Sequence, residues 1–318
     1  MQAVGFFEFG GPEVLQVIEL QIPTAGWGDV VVEVSAASVN PTDLLMRSGS
    51  QATLMAGLKP PFVPGMEFAG RVHLVGEGVE RLSVGSWVMG LVDARSIYGG
   101  AQAQFIRVPA VSVVELNDGG NLAEAATLPM NGLTADLAID LLELDAGETI
   151  LVTGGAGVLG GFTIQLAKLA GLTVVADAYP SDTELVSGLG ADMVVPRGEA
   201  MFATMRARFP SGVAGAIDAA RIGGRISDLV RDGGTYAVVR STDVIREDRV
   251  RGRYVSILQQ LSNTLALTRL EMLYYRGILR PRVAIRLPFH KASEAHRMME
   301  EGGLRGRVVL LFNGEDCE

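Results

Sequence analysis

Residues 149–160 read Thr-Ile-Leu-Val-Thr-Gly-Gly-Ala-Gly-Val-Leu-Gly, a β-branched apolar run that enters a glycine turn and leaves into a helical pattern. Gly155, Gly157 and Gly160 match the spacing G-x-G-x-x-G. In that arrangement the first glycine permits a tight turn and the second lets backbone N–H groups approach a pyrophosphate. The third lets the helix pack close to the strand. The helix N-terminus adds unpaired N–H donors and a dipole that favours phosphate. Glycine is abundant here, with 40 in 318 residues, so the spacing alone is weak evidence. The flanks strengthen it. Leu159, Phe162, Leu166 and Leu169 recur at helical spacing, Gly171 stops the helix, and a second apolar run, 172–176, ends at Asp177. This order predicts dinucleotide binding, with contacts from Gly155, Ala156, Gly157, Val158, Leu159 and Gly160. The alternative is a glycine turn that only closes an α/β core.

The alternation continues downstream. Apolar runs at 149–153, 172–176, 193–195, 214–218, 235–239 and 253–257 predict strands separated by helices, the spacing of a doubly wound sheet. Residues 1 to about 115 differ. Their runs, at 30–34, 68–75, 86–92 and 104–108, are short, closely spaced and bounded by Gly, Pro, Asp or Ser, which predicts a small β-barrel. Helical character begins near Leu122, interrupted by Pro129 and Gly132. The tail predicts a helix near 262–276, a strand near 282–286, a helix near 291–301 and a last strand at 307–312. The fold class is therefore α/β, and the length suits two domains. Ligands of such sheets bind beyond the carboxyl ends of the strands, where a cleft between the domains is expected.

A net charge of −9 argues against nucleic acid or an anionic membrane as partner. No stretch of about 20 apolar residues is free of charge and glycine breaks, so no membrane span is predicted. The N-terminus lacks a basic segment followed by a long apolar one, and a cytoplasmic location is expected. Cys317 is the only cysteine, which excludes an intrachain disulfide and a cysteine-built zinc site. His73, His290 and His296 are scattered and read as surface or packing residues.

Further motifs run along the chain. They are Ser-Val-Asn-Pro-Thr-Asp at 38–43 with Arg-Ser-Gly at 47–49, and Pro-Gly-Met-Glu-Phe-Ala-Gly-Arg-Val at 64–72. Gly-Gly-Ala-Gln-Ala-Gln-Phe at 99–105, Ala-Ala-Thr-Leu-Pro-Met-Asn-Gly-Leu-Thr-Ala at 125–135 and Gly-Gly-Leu-Arg-Gly-Arg-Val-Val-Leu-Leu at 302–311 follow. In this order they resemble the medium-chain dehydrogenase/reductase superfamily, and within it the zinc-free quinone oxidoreductase branch. The resemblance implies a GroES-like β-barrel catalytic domain over 1–120 and 264–318 and a Rossmann domain over 121–263. It also implies a nicotinamide cofactor between them and a homodimer through the Rossmann edge strand near 254–257. Zinc-dependent members carry Cys where this chain has Asn40 and His where it has Met66, both poor replacements as zinc ligands. No metal is expected. Glu67 keeps the family's acid, either ordering the cleft or bonding nearby loop amides.

Asn40 is the expected catalytic residue, as donor to a substrate oxygen. Asn131, Thr134 and Val238 are expected to border the cofactor. Asp177 lies at the usual distance for a ribose ligand but one residue early against the branch pattern, which turns a strand side chain to the other face. Ser181, as a neutral donor, and Arg197, as a charged one, are the expected partners of a 2′-phosphate. NADP(H) is thus favoured, with NAD(H) not excluded. Enoyl reductases of the superfamily place a proton-donating Tyr near the position of Gln51, and residues 47–59 contain none; Tyr98 is the nearest in sequence. The expected activity is NADPH-dependent hydride transfer to a quinone or similar small electrophile. The alternatives are an enoyl thioester reductase, or a dinucleotide-binding sensor or structural protein with little catalysis.

Overall fold

A computed structural model of the chain describes residues 1–117, 119–240, 243–244 and 248–312. Cys317 lies outside the described residues. The contacts divide the chain into two units. One comprises Met1–Met130, Leu258–Tyr275 and Pro281–Glu318, the other Asn131–Ile257 and Arg276–Arg280.

The second unit is built on six parallel strands. Across the sheet they run Met193–Pro196, Thr173–Ala178, Thr149–Thr153, Val213–Asp218, Val230–Val238 and Arg251–Tyr254. Numbered along the chain this is the order 3-2-1-4-5-6 of a Rossmann sheet, with the reversal beside Thr149–Thr153. Helices cover both faces of such a sheet, so its strands must be apolar on both sides. The pleat divides them: Ile150, Val152, Val174 and Ala176 join one buried cluster, and Leu151, Val175, Ala216 and Tyr236 the other. The strand Val230–Val238 begins earlier than the apolar run predicts. Arg231-Asp-Gly-Gly hides its first half, and the register against Val213–Asp218 shifts between Val213 and Gly215. The edge strand predicted at 253–257 lies at Arg251–Tyr254, and Val255 has already turned into the core.

The first unit holds a seven-stranded sheet. Its path runs Val283–Pro288, Arg307–Leu311, Asp29–Val39, Glu67–Val75, Trp87–Leu91 and Val113–Glu115, and Phe105–Pro109 also pairs with Asp29–Val39. Asp29–Val39 has neighbours along both edges and is buried over nearly its whole length. Gly70 lets Glu67–Val75 lie against it, since a Cβ at residue 70 would sit 2.1 Å from the carbonyl oxygen of Glu33. A two-stranded ribbon, Gln2–Gly5 with Gln16–Glu19, completes the unit. Among the described residues no helix is long and apolar enough to cross a membrane.

Candidate functional site

The fingerprint forms the turn its spacing predicts, but the roles of its glycines are distributed differently. Gly154, which the motif does not count, takes the left-handed conformation at φ 70°. Gly155 is required by crowding: a Cβ there would lie 3.1 Å from Ala176 Cβ and from the Asp177 carbonyl. Gly160 keeps its expected role. A Cβ on it would come within 2.1 Å of the Gly154 carbonyl oxygen, so helix and strand approach as closely as only glycine permits. Gly157 caps the helix Val158–Leu169 and, as a glycine, brings no side chain of its own to that N-terminus. The helix therefore presents the N–H groups of its first turn, at Val158, Leu159 and Gly160, to a ligand. Ala156 lies buried within the turn.

Asp177 does not stand free as a ribose ligand. Its carboxylate accepts the Gly154 N–H and faces Arg197, whose Nε lies 3.2 Å away. The side chain is thus engaged with the glycine turn and with Arg197. Burial raises the Asp177 pKa above the usual carboxylate range, and Arg197 and the turn N–H groups oppose that rise. Arg197 is half-buried and lies over the Tyr179 ring, 5.1 Å from its centroid. Ser181 is exposed just beyond. Arg197, Tyr179 and Ser181 thus surround the end of Thr173–Ala178, where the adenosine half of a dinucleotide lies in this fold.

On the other side of the turn Asp218 organises the loop after its strand. Its carboxylate accepts Thr153 Oγ1 at 2.6 Å and the N–H groups of Ile222 and Gly223 at 3.1 and 2.9 Å. The Ala220 N–H donates to Thr153 Oγ1 at 3.0 Å. Asn131 and Thr134 lie buried a turn apart on the helix Pro129–Asp140. Val238 is committed to the sheet: its side chain is in the core and its carbonyl accepts the Val255 N–H at 2.9 Å.

In the first unit Asn40 ends Asp29–Val39 and caps the helix Pro41–Arg47. It is fully buried, and its Nδ2 donates to Ser38 Oγ and to Glu67 Oε1, both at 2.8 Å. Both amide hydrogens are therefore spent within the protein, which replaces the expectation of a donor held free for a substrate. The other oxygen of Glu67 accepts the Met130 N–H at 2.8 Å. Of the two readings for Glu67, the geometry gives bonding to nearby groups. Asp43 accepts the N–H groups of Asn40 at 2.8 Å and Gly65 at 3.1 Å. Burial pushes its carboxyl up to about 7 despite those bonds, and the charge of Glu67 adds to the rise. Burial raises Glu67 as well, against the pull of Arg307. Ser38, Asp43 and Arg307 lie inside motifs of the sequence and Asp218 ends a predicted strand, but none of them stands out there as a site residue, because their importance lies in who their buried neighbours are. Gln51 is half-buried without a side-chain cap, and Tyr98 is exposed with Arg107 over its ring at 4.5 Å.

The family described as "Alcohol dehydrogenase GroES-like domain" matches residues 26–118, and that described as "Zinc-binding dehydrogenase" matches residues 189–310. A probable oxidoreductase from Mycobacterium abscessus is 32% identical over 98% of this chain and 99% of its own, with a TM-score of 0.80. The chain belongs to the medium-chain dehydrogenase/reductase superfamily, in its quinone oxidoreductase-like branch. Within that superfamily it is similar to the quinone oxidoreductase of Rattus norvegicus, at 28% identity over 98% of both chains. It is also similar to the NADPH-dependent alkenal/one oxidoreductase of Arabidopsis thaliana, at 28% over 98% of this chain and 79% of that one. A trans-enoyl reductase of Aspergillus japonicus is 34% identical over 52% of this chain and 51% of its own. The quinone oxidoreductase structure from Coxiella burnetii superposes with a TM-score of 0.87, at 27% identity over 98% and 99% of the two chains. As a member of this superfamily the protein is an oxidoreductase with a GroES-like and a Rossmann domain.

The superfamily's zinc does not suit the residues present. Zinc takes thiolate, imidazole or carboxylate donors in a tetrahedral set. The positions that matter hold an amide already bonded twice and a buried thioether, Met66. Among the described residues no group of three or more His, Cys, Asp or Glu could hold a metal ion.

Proposed function

We propose that the protein is a zinc-independent, NADPH-dependent reductase of quinones and similarly conjugated carbonyl compounds. The observation that carries this reading is the locked amide at Asn40. A carbonyl that needs Lewis-acid polarisation finds no metal donor set at that position, whereas an electron-poor conjugated acceptor takes hydride without one. The dinucleotide fits the second unit on two grounds: the glycine turn, where Gly160 lets the helix pack directly on the Gly154 carbonyl, and the helix N-terminus that follows it, whose cap residue Gly157 carries no side chain. When bound, NADPH supplies the hydride. The first-turn N–H groups hold its pyrophosphate. Arg197 and Ser181 hold the 2′-phosphate, with Asp177 fixing the guanidinium from behind. Asn40 is a positioning residue here, pinning Ser38 and Glu67.

The acceptor class follows from proton demand. Reduction of an enoyl thioester leaves an enolate carbon that profits from a placed acid, worth about 10²–10⁴-fold. Reduction of a quinone leaves charge on oxygen, where water delivers the proton. Residues 47–59 offer no tyrosine, so the second course is favoured. The edge strand Arg251–Tyr254, paired on one side only, is the proposed seam of a homodimer.

Turnover of quinones, conjugated enones and enoyl thioesters with both nicotinamides, in the presence of a chelator, tests the reading. Quinones should lead with NADPH, and chelation should change little. A strong preference for enoyl thioesters would overturn the acceptor assignment. Activity lost with a stoichiometric zinc would overturn the metal-free one.

A further inference from the structure

Two arginines on the second unit have no place in the reading above. Arg221 follows Val213–Asp218 and Arg240 follows Val230–Val238. These strands are parallel neighbours, and Asp218 stands opposite Val238, so the chain leaves both strands side by side. Neither guanidinium has an ion-pair partner within 4 Å among the described residues. Arg221 is exposed and Arg240 half-buried. Their charges lie within reach of each other: burial lowers the Arg221 pKa first, and the positive charge of Arg240 lowers it further. The acids in reach are Asp243 and Asp218. Asp218 is already committed to Thr153 and to two backbone N–H groups.

The loop that bears Arg221 is held in a costly conformation. Arg221 has φ 59°, a region that non-glycine residues seldom occupy. Asp218 and Thr153 fix the residues on either side of it. The same loop lies against the glycine turn, since a Cβ at Gly154 would meet Ala219 and Ala220 at 3.2–3.3 Å. By strand order this is the side of the turn opposite Arg197, where the nicotinamide half of a dinucleotide lies and the acceptor is reduced. A rigidly held loop beside a ligand turn, with two arginines that follow neighbouring strand ends, is an arrangement for reading an anion.

We propose that Arg221 and Arg240 form an anion subsite for a carboxylate, sulfonate or phosphate group on the acceptor. The preferred substrate is then an electron-poor conjugated carbonyl compound bearing a negative charge. This rests on the reductase reading, and the experiment separates the two. Steady-state reduction of 1,2-naphthoquinone-4-sulfonate and of neutral 1,2-naphthoquinone is compared in the parent, Arg221→Gln and Arg240→Gln. Calorimetric binding of redox-inert 2-naphthalenesulfonate and of NADPH is measured in the same three proteins. The parent should show a KM about tenfold lower for the anionic quinone. Each variant should raise that KM about tenfold, leave the neutral KM and the NADPH affinity unchanged, and weaken 2-naphthalenesulfonate binding to match. Should no quinone be reduced, weakened sulfonate binding in both variants still upholds the subsite while the reductase reading fails. Equal KM values for the two quinones in the parent would overturn the subsite. So would variants that weaken NADPH as much as the sulfonate, since the arginines would then serve the cofactor's own phosphates.

Discussion

Replacing His296 with glutamine and replacing Asp43 with asparagine should tilt the pH dependence of stability in opposite directions. His296 is completely buried on the helix Ala292–Glu301, with Nδ1 3.3 Å from Arg47 Nη1 and no hydrogen-bond partner for Nε2 among the described residues. Burial, then the Arg47 charge, pushes its pKa down to about 3. Asp43 is pushed up to about 7. Between about pH 4 and 6.5 the unfolded chain carries a charged imidazole and a charged carboxylate, while the folded chain keeps both groups neutral. The contribution of Asp43 is therefore complete below about pH 4 and lost as the pH rises through 7. That of His296 is complete above about pH 6.5 and lost as the pH falls through 3. Each proton of difference is worth about 1.4 kcal/mol per pH unit. Across the shared window each group contributes about 3 kcal/mol, with opposite sign, and in the parent the two offset. His296→Gln leaves the Asp43 slope alone, so its stability relative to the parent should fall as the pH rises from 4 to 6.5. Asp43→Asn should gain over the same interval. In thermal unfolding of the whole chain this is a relative change of about 5 °C. Substitution lowers both curves, for Asn loses one of the backbone bonds of Asp43, but that loss does not depend on pH. Melting curves at half-unit pH steps decide the matter. Variant profiles parallel to the parent's would refute the assignment of neutral folded states.

Two further outcomes follow from the second unit. Arg197→Ala should weaken NADPH by about 1.5–3 kcal/mol and NADH by much less, the size of a lost charged hydrogen bond, as read by nicotinamide fluorescence titration; equal losses for both cofactors would place Arg197 away from the 2′-phosphate. Gly160→Ala drives a Cβ into the Gly154 carbonyl, so it should abolish binding of both nucleotides, and calorimetry showing parent-like affinity would contradict the close approach.

Periodicity made the strand positions of the doubly wound sheet and the glycine turn legible, because β-branched runs with helical spacers leave few topologies for a parallel sheet. Strands opened by polar or glycine-rich residues escaped it, as with the first half of Val230–Val238 and the ribbon Gln2–Gly5 with Gln16–Glu19. At the site, the motifs single out residues but not their partners. Asn40 looks like a free donor until Ser38 and Glu67 are folded onto it. Asp177 looks like a ribose ligand until Arg197, from the next strand's end, and Gly154 claim its carboxylate. A side chain's spare hydrogen bonds depend on distant segments, which local spacing does not encode.

The pairing of Arg307–Leu311 with Asp29–Val39 has a bearing on synthesis. Val308 lies opposite Val39 and Leu311 opposite Ala36, so the central strand of the first sheet waits for residues made after the whole nucleotide unit to close one of its edges. A ribosome-bound chain can assemble the nucleotide unit, whose residues lie within Asn131–Arg280, while the earlier-made unit still exposes an apolar strand edge. During that interval the nascent N-terminal segment is the part most open to strand addition by another chain. Order of emergence from the ribosome and order of completion therefore run opposite ways in this protein.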